Sequence, residues 1–418
     1  MLIKGGRVID PKNHVDDILD IRILNGKISE MGKDLNSSGE EIIDAKNLVV
    51  SPGLIDVHVH FRDPGFTYKE DIISGSKAAA KGGFTTVVCM GNTKPTMDNE
   101  DTLKDFLNRA KDCPINVKTI VTVSKKMNGK EFTDFETLLN LGAVGLSDDG
   151  VVIKDGKFLK EALDKAFSLN VPISLHEEDT NLVGSAGVNE GEVSSHFGVK
   201  GASKVSEYSQ IAKDLAIGLS TKGHIHIQHI SCKESVEIIR FFKELGVNVT
   251  CEVTPNHFTL NETDLLKIGT LGRINPPIRT EKDRLSLIEG LKDGTIDMIA
   301  TDHAPHTTEE KEKEFKKAPS GILGLETSLS LGITELVNKG HLTLNELIEK
   351  MSSNPANLYN FEGGELSVGK PADILIFNPS EEYVVKDFIS KSKNSPYIGR
   401  NLFGVVKYTI CGGKVVYK

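Results

Sequence analysis

The sequence predicts an α/β fold: a (β/α)8, TIM-like barrel with a small β-sandwich built from the N- and C-terminal segments. Two patterns carry this prediction. Between about residues 51 and 361, apolar runs of strand length alternate eight times with segments of helical period. At both ends of the chain the pattern changes to short apolar runs broken by Gly, Asn and Asp. Eight strand–helix units over roughly 300 residues match the size of a (β/α)8 barrel.

Taken in order, residues 2–9, 18–23 and 27–31 read as strands, with Asn25-Gly26 as a hairpin turn because both residues tolerate positive φ. The barrel strands are expected at 53–60, 85–90, 115–123, 143–147, 171–176, 224–230, 247–253 and 296–301. Helices are expected at 70–81, 101–110, 159–169, 205–219, 233–245 and 284–291, with Gly82, Gly142, Gly223 and Gly246 at C-terminal caps. The charged run 308–317 (TEEKEKEFKK) reads as solvated. Strands return at 373–377, 404–410 and 414–417, with a Gly412-Gly413 turn. Neither terminal group could cover its own sheet alone, so the two should combine. The expected division is a discontinuous small domain, 1–50 with 365–418, around a barrel of 51–364.

Composition narrows the function. The 418 residues carry 50 Lys+Arg against 59 Asp+Glu, a net charge of −9. An acidic surface disfavours nucleic acid and anionic membrane as partners. No apolar stretch is long enough to span a bilayer, and the N-terminus lacks a signal-peptide core. Five cysteines without pairing rhythm fit a reducing cytoplasm.

Catalytic groups of such barrels lie at the C-terminal ends of the strands. The first strand ends in His58-Val59-His60, whose imidazoles share one face. A lone His-x-His is weak. The fourth strand, however, ends in Asp148-Asp149, the fifth in His176, the sixth in His229 and the eighth in Asp302-His303. Four imidazoles and carboxylates converging on one rim suit Zn²⁺ or a similar divalent ion. His224 and His226 sit too early in their strand, with parity facing away from His229, and read as structural. So does Asp56, one step deeper than the His pair. His257 is a weak candidate to support a ligand, and His303 should point off the opposite side from Asp302.

The strings SPGLIDVHVHFRDPG (51–65), GNTKP (91–95), SDDG (147–150), EVTPNHF (252–258), NPPIR (275–279), IATDHAPH (299–306) and GKPADILIF (369–377) carry a resemblance. The chain resembles the bacterial dihydroorotases of the longer, type I class, within the amidohydrolase superfamily. The resemblance implies two zinc ions, one held by His58, His60 and Asp302, the other by His176 and His229. Asp149 and a hydroxide would bridge them, and Ser147 stands where many superfamily members place a carboxylated lysine. It implies substrate contacts from Arg62, Asn92, Asn275, His306 and the Ser320-Gly321 backbone, and a catalytic proton carrier in Asp302. The implied reaction is the reversible cyclisation of N-carbamoyl-L-aspartate to L-dihydroorotate in de novo pyrimidine biosynthesis. A cytoplasmic homodimer, with association to aspartate transcarbamoylase, is part of that expectation. Glu177, Asn256 and Ser320 depart from residues common in the family. The rival readings are another cyclic-amide hydrolase (hydantoinase or allantoinase) and an inactive scaffold. Complete candidate ligands speak against the scaffold, and Arg62, Asn92 and NPPIR against the other hydrolases.

Overall fold

The computed structural model describes all 418 residues. Five strands open the chain: β1 Leu2–Asp10, β2 Val15–Leu24, β3 Lys27–Gly32, β4 Ile42–Asp44 and β5 Val49–Pro52. The eight expected barrel strands follow as β6 Leu54–Val59, β7 Phe84–Cys89, β8 Asn116–Thr119, β9 Leu146–Ser147, β10 Ile173–Leu175, β11 Ile225–Ile227, β12 Val249–Val253 and β13 Met298–Ile299. Three more close the chain, β14 Ile374–Val384, β15 Asn401–Cys411 and β16 Lys414–Tyr417.

Strands β6–β8 and β9–β13 form two parallel arcs. Single bridges join the arcs, Val121 to Leu146 and Val59 to His303, which completes the barrel. The second seam carries a hydrogen bond from His60 N–H to His303 O, 2.9 Å. Asp56 reinforces it from within, accepting from the Thr301 hydroxyl at 2.5 Å, the Thr301 N–H and the His58 N–H. Burial pushes this carboxyl up to about 7 against those donors. The structural reading of Asp56 is correct, and its work is to close the barrel below the rim.

The predicted helices are present at Ile72–Lys81, Glu100–Ala110, Gly156–Ser168, Val205–Gly218, Lys233–Glu244 and Glu281–Lys292. Asp71, Asn99, Asp155 and Thr280 cap four of them by accepting N–H bonds. Gly223 is not a cap. It lies beyond the end of its helix, and a Cβ there would stand 2.8 Å from the Leu163 carbonyl oxygen, so close approach explains it. The charged run is not uniformly solvated either, because Lys311 is buried.

The terminal strands unite in one eight-stranded sheet of order β16-β15-β14-β5-β1-β2-β3, with β4 beside β1. The sheet curls around an apolar core that includes Ile3, Val8, Ile21 and Ile28 from one end and Ile374, Ile376 and Ile410 from the other. The two turns read from the sequence meet. Asn25, Gly26, Gly412 and Gly413 all have positive φ, and a Cβ on Gly413 would lie 2.8 Å from the Gly26 Cα. No helix is long and apolar enough to cross a membrane.

Candidate metal centre and substrate site

All six candidate ligands reach one point on the barrel rim. His58 lies in β6, while His60, Asp149, His176, His229 and Asp302 follow the ends of their strands within a few residues. The His60 Nε2 is 2.9 Å from Asp302 Oδ1 and 3.5 Å from Asp149 Oδ2. The His58 Nε2 lies 3.6 Å from Asp302 and 3.7 Å from Asp149. His176 Nδ1 and His229 Nε2 stand 3.9 and 4.0 Å from the same Asp149 oxygen. Two overlapping triads result, His58–His60–Asp302 and His58–Asp149–His229. Asp148 turns away to accept from the Ser124 N–H and hydroxyl.

The charge state suits a cation. Burial alone would raise Asp149, but His58, His60 and His176 outweigh it and hold the carboxyl well below its ordinary range. Asp302 is likewise lowered against its burial by His58 and His60. Burial, with His176 and His58 nearby, pulls His229 down to about 4, leaving a neutral imidazole. The His58 Nε2 is buried without a hydrogen-bond partner, and His176 Nδ1 faces His229 Nε2 at 3.0 Å. Nitrogens turned toward one another and toward carboxylates fit a divalent ion, which would replace the proton that Glu252 and Asp149 favour on His58 against its burial.

Behind the ligands lies a residue that sequence reasoning missed. His58 Nδ1–H donates to Glu252 Oε1 at 2.6 Å, and His226 Nε2–H donates to Glu252 Oε2 at 3.0 Å. The His229 N–H reaches Glu252 Oε1 at 3.3 Å. Glu252 thus fixes the His58 tautomer so that Nε2 faces the cluster, as supporting carboxylates do in metal sites. His226 is structural but not remote: it braces Glu252 from inside the barrel. The parity argument failed because β11 ends at Ile227 and His229 has left the extended conformation, with φ 29°. Glu252→Gln is expected to weaken divalent-metal retention about 10- to 100-fold. Chelator competition measures this, and unchanged affinity would remove Glu252 from the centre.

The expected substrate residues form three groups around the cluster. Asn92 accepts from His60 Nδ1–H at 3.2 Å and donates to Asp149 Oδ2 at 2.9 Å, so both ends of its amide orient candidate ligands. Asn275 donates to Glu178 Oε2 at 2.8 Å, and Glu178 stands 3.7 Å from His176 Nε2. The Asn275 Oδ1 is buried without a partner. Arg62 has φ 58°, donates to the Pro305 carbonyl at 3.3 Å, and lies 3.3 Å from His306 Nε2. His306 Nε2–H donates to the Ser320 carbonyl at 2.9 Å, while its Nδ1 accepts from Lys69 Nζ at 3.2 Å. Burial, with Arg62 and Lys69 adjacent, pushes His306 down to about 2, so it is neutral. The Gly321 N–H is occupied by the Arg273 carbonyl at 2.9 Å.

The remaining histidines stay out of the cluster. His257 bonds Thr254 and the Pro276 carbonyl, and His303 Nδ1 accepts from the Gly324 N–H at 3.2 Å. Of the departures, Asn256 accepts from the Tyr397 hydroxyl at 2.9 Å, and Glu177 is buried with both oxygens unpartnered.

Comparison with known proteins gives the family. Residues 47–235 match the "Dihydro-orotase-like" family and residues 328–417 the "Amidohydrolase family". The dihydroorotase of Clostridioides difficile (strain 630) is 54% identical over all of this chain and 99% of its own. That of Streptococcus pneumoniae serotype 4 is 52% identical, covering both chains completely. Among solved structures, an L-hydantoinase (dihydropyrimidinase) from Arthrobacter aurescens has a TM-score of 0.90 at 26% identity, spanning 100% of this chain and 96% of that one. A D-hydantoinase matches in fold with a TM-score of 0.88, covering 100% and 95%. A rim of imidazoles and carboxylates on a (β/α)8 barrel, with such identity from end to end, shows that the chain belongs to the dihydroorotase family.

Proposed function

We propose that this enzyme interconverts N-carbamoyl-L-aspartate and L-dihydroorotate, as a step of pyrimidine biosynthesis, with the barrel of residues 51–364 as its catalytic unit. The observation that carries the reading is Arg62. Its guanidinium donates to the Pro305 carbonyl and lies against the neutral His306 ring at the rim, with no carboxylate in ion-pair contact. A cation left unpaired beside the reaction centre is built for an anionic substrate group. The carboxylate that dihydroorotate keeps on its ring is such a group, and hydantoin and dihydrouracil lack it.

The reading includes two zinc ions, which would be held by His58, His60 and Asp302 and by His176 and His229, with Asp149 offered to both. Ions bound there supply Lewis-acid polarisation of the ring carbonyl and activate water near neutral pH. The chain does the rest. In the hydrolytic direction Asp302 accepts the proton of the attacking water and delivers it to the leaving ring nitrogen. In the biosynthetic direction it takes the proton from the carbamoyl nitrogen as the C–N bond forms and passes it to the departing carboxyl oxygen, whose C–O bond breaks; with one further proton from solvent that oxygen leaves as water. Arg62 holds the retained carboxylate. The free Asn275 Oδ1 accepts a ring N–H, because its amide nitrogen is committed to Glu178.

Five free cysteines, four of them buried, support operation in the cytoplasm. The subunit reading is a homodimer, with aspartate transcarbamoylase as a partner, and sizing the protein with and without that enzyme tests it. The test of function is an assay of zinc-replete protein on carbamoyl-aspartate, dihydroorotate, hydantoin and allantoin. Turnover of the first two alone is expected. Faster turnover of hydantoin or allantoin would replace the reading with that of another cyclic-amide hydrolase.

A further inference from the structure

Lys311 lies in the charged run, yet only 3% of it is exposed and it makes no ion pair. Its ammonium donates to three main-chain carbonyls instead: Arg273 at 3.3 Å, Pro319 at 3.0 Å and Gly321 at 3.1 Å. Three donors meet three acceptors. Burying a cation without a counter-charge is costly, and an apolar side chain would pack there at less expense. The three directed bonds are therefore the feature that distinguishes this lysine from filler.

Two of those carbonyls flank Ser320. The Ser320 carbonyl accepts from His306, the Gly321 carbonyl also accepts from Asn394 at 3.0 Å, and the Gly321 N–H donates to Arg273. Pro319 has no N–H. The Ser320 N–H alone in this tripeptide has no partner within the chain. It belongs to the same peptide group as the Pro319 carbonyl that Lys311 holds. That peptide is trans, so its N–H points to the side opposite the ammonium. His306, bonded to the Ser320 carbonyl of the next peptide, places Ser320 next to Arg62.

We propose that Lys311 is a positioning residue that polarises the Pro319–Ser320 peptide, making the Ser320 N–H a strong donor to the substrate carboxylate beside Arg62. Donation to a carbonyl oxygen draws electron density from the N–H of the same peptide, so hydrogen bonds in series strengthen one another. A positive donor does this more than a neutral one. Lys311 touches no substrate and acts through the peptide. Burial, with Arg273 nearby, pulls its amine down to about 7, while hydrogen bonds donated by an ammonium favour the charged form. The inference rests on the proposed function for the identity of the anion, though not for the polarisation.

The test uses zinc-replete full-length protein carrying Lys311→Met, with Lys316→Met from the exposed part of the same run as control. KM for dihydroorotate should rise roughly tenfold in Lys311→Met, the exchange of a charge-assisted bond for a weaker one, with kcat within about twofold and metal content unchanged. The Ki of dihydrouracil as a competitor of dihydroorotate and every constant of Lys316→Met should stay as in the parent. The ¹⁵N resonance of the Ser320 amide, recorded without ligand, should move upfield in Lys311→Met. This second readout decides the polarisation even if the parent turns over no dihydroorotate, an outcome that sinks the functional reading instead. An unmoved resonance, or a change in the dihydrouracil Ki equal to that in the dihydroorotate KM, overturns the proposal. If Lys311→Met melts early, Lys311→Gln keeps a neutral donor and should give an intermediate KM and an intermediate shift. Parent values in that variant overturn the proposal equally.

Discussion

Asp302→Asn should retain metal and lose turnover in both directions, by about 10²- to 10⁴-fold, the usual worth of general acid–base catalysis. Asp302 Oδ1 stands 2.9 Å from His60 Nε2 and 3.6 Å from His58 Nε2, and the carboxyl is held ionised against its burial by those imidazoles. Asparagine keeps the shape and one oxygen that can face a cation. It cannot take up a proton at neutral pH. The backbone favours the comparison as well: residue 302 has φ 47°, a left-handed conformation that Asn tolerates as readily as Asp. The forward and reverse rates share one transition state, so both must fall together. Metal content and the two rates, measured on the same preparation, decide the matter. A metal-replete variant with near-parental rates would mean that another group carries the proton.

Arg62→Met should lower kcat/KM for dihydroorotate at least tenfold and leave bound-metal content alone. A charge-assisted bidentate contact contributes about 1.5–3 kcal/mol, or roughly 10- to 150-fold. The loss can exceed that range, because the substrate carboxylate would then face a partly desolvated rim without its cation. Backbone strain does not confuse the result. Arg62 already has φ 58°, and methionine is no worse there, since neither side chain is β-branched. Activity on dihydrouracil should change little. The alternative, that Arg62 braces a loop through Asp63 or Glu70, conflicts with the observed pairs. Asp63 is held by Arg109 at 2.7 Å, and Glu70 accepts from the Ser74 and Ser390 hydroxyls. Equal losses on both substrates would restore a purely structural Arg62.

The barrel was legible because its parallel strands are buried on both faces and read as continuous apolar runs. Val87-Val88-Cys89 shows this directly, whereas Ile225–Ile227 and Val249–Val253 carry His226, Thr250 and Glu252 among their apolar residues. The candidate ligands that gather at the rim were legible because His and Asp at successive strand ends are chemically conspicuous. What the pattern could not supply is backbone direction once a strand has ended. Arg62, His229 and Asp302 all have positive φ, so strand parity says nothing about where they point. Arg62 reaches the rim although β6 stops at Val59. Buried charge was equally hidden. Glu252 looks like one more strand residue and Lys311 like one more solvated lysine. Only the tertiary partners, two imidazoles in one case and three carbonyls in the other, reveal the difference.

The strand order β14-β5-β1 has a consequence for how the chain is made. A ribosome delivers β1 to β5 first, and β5 then presents an unpaired edge until β14 emerges near the end of synthesis. Because β6 follows β5 after a single residue, the first barrel strand is tethered to that unfinished edge throughout. Unpaired edges recruit other chains. A nascent or truncated form ending before Ile374 therefore carries the full set of rim ligands together with an open sheet edge, and its characteristic failure is self-association rather than loss of chemistry.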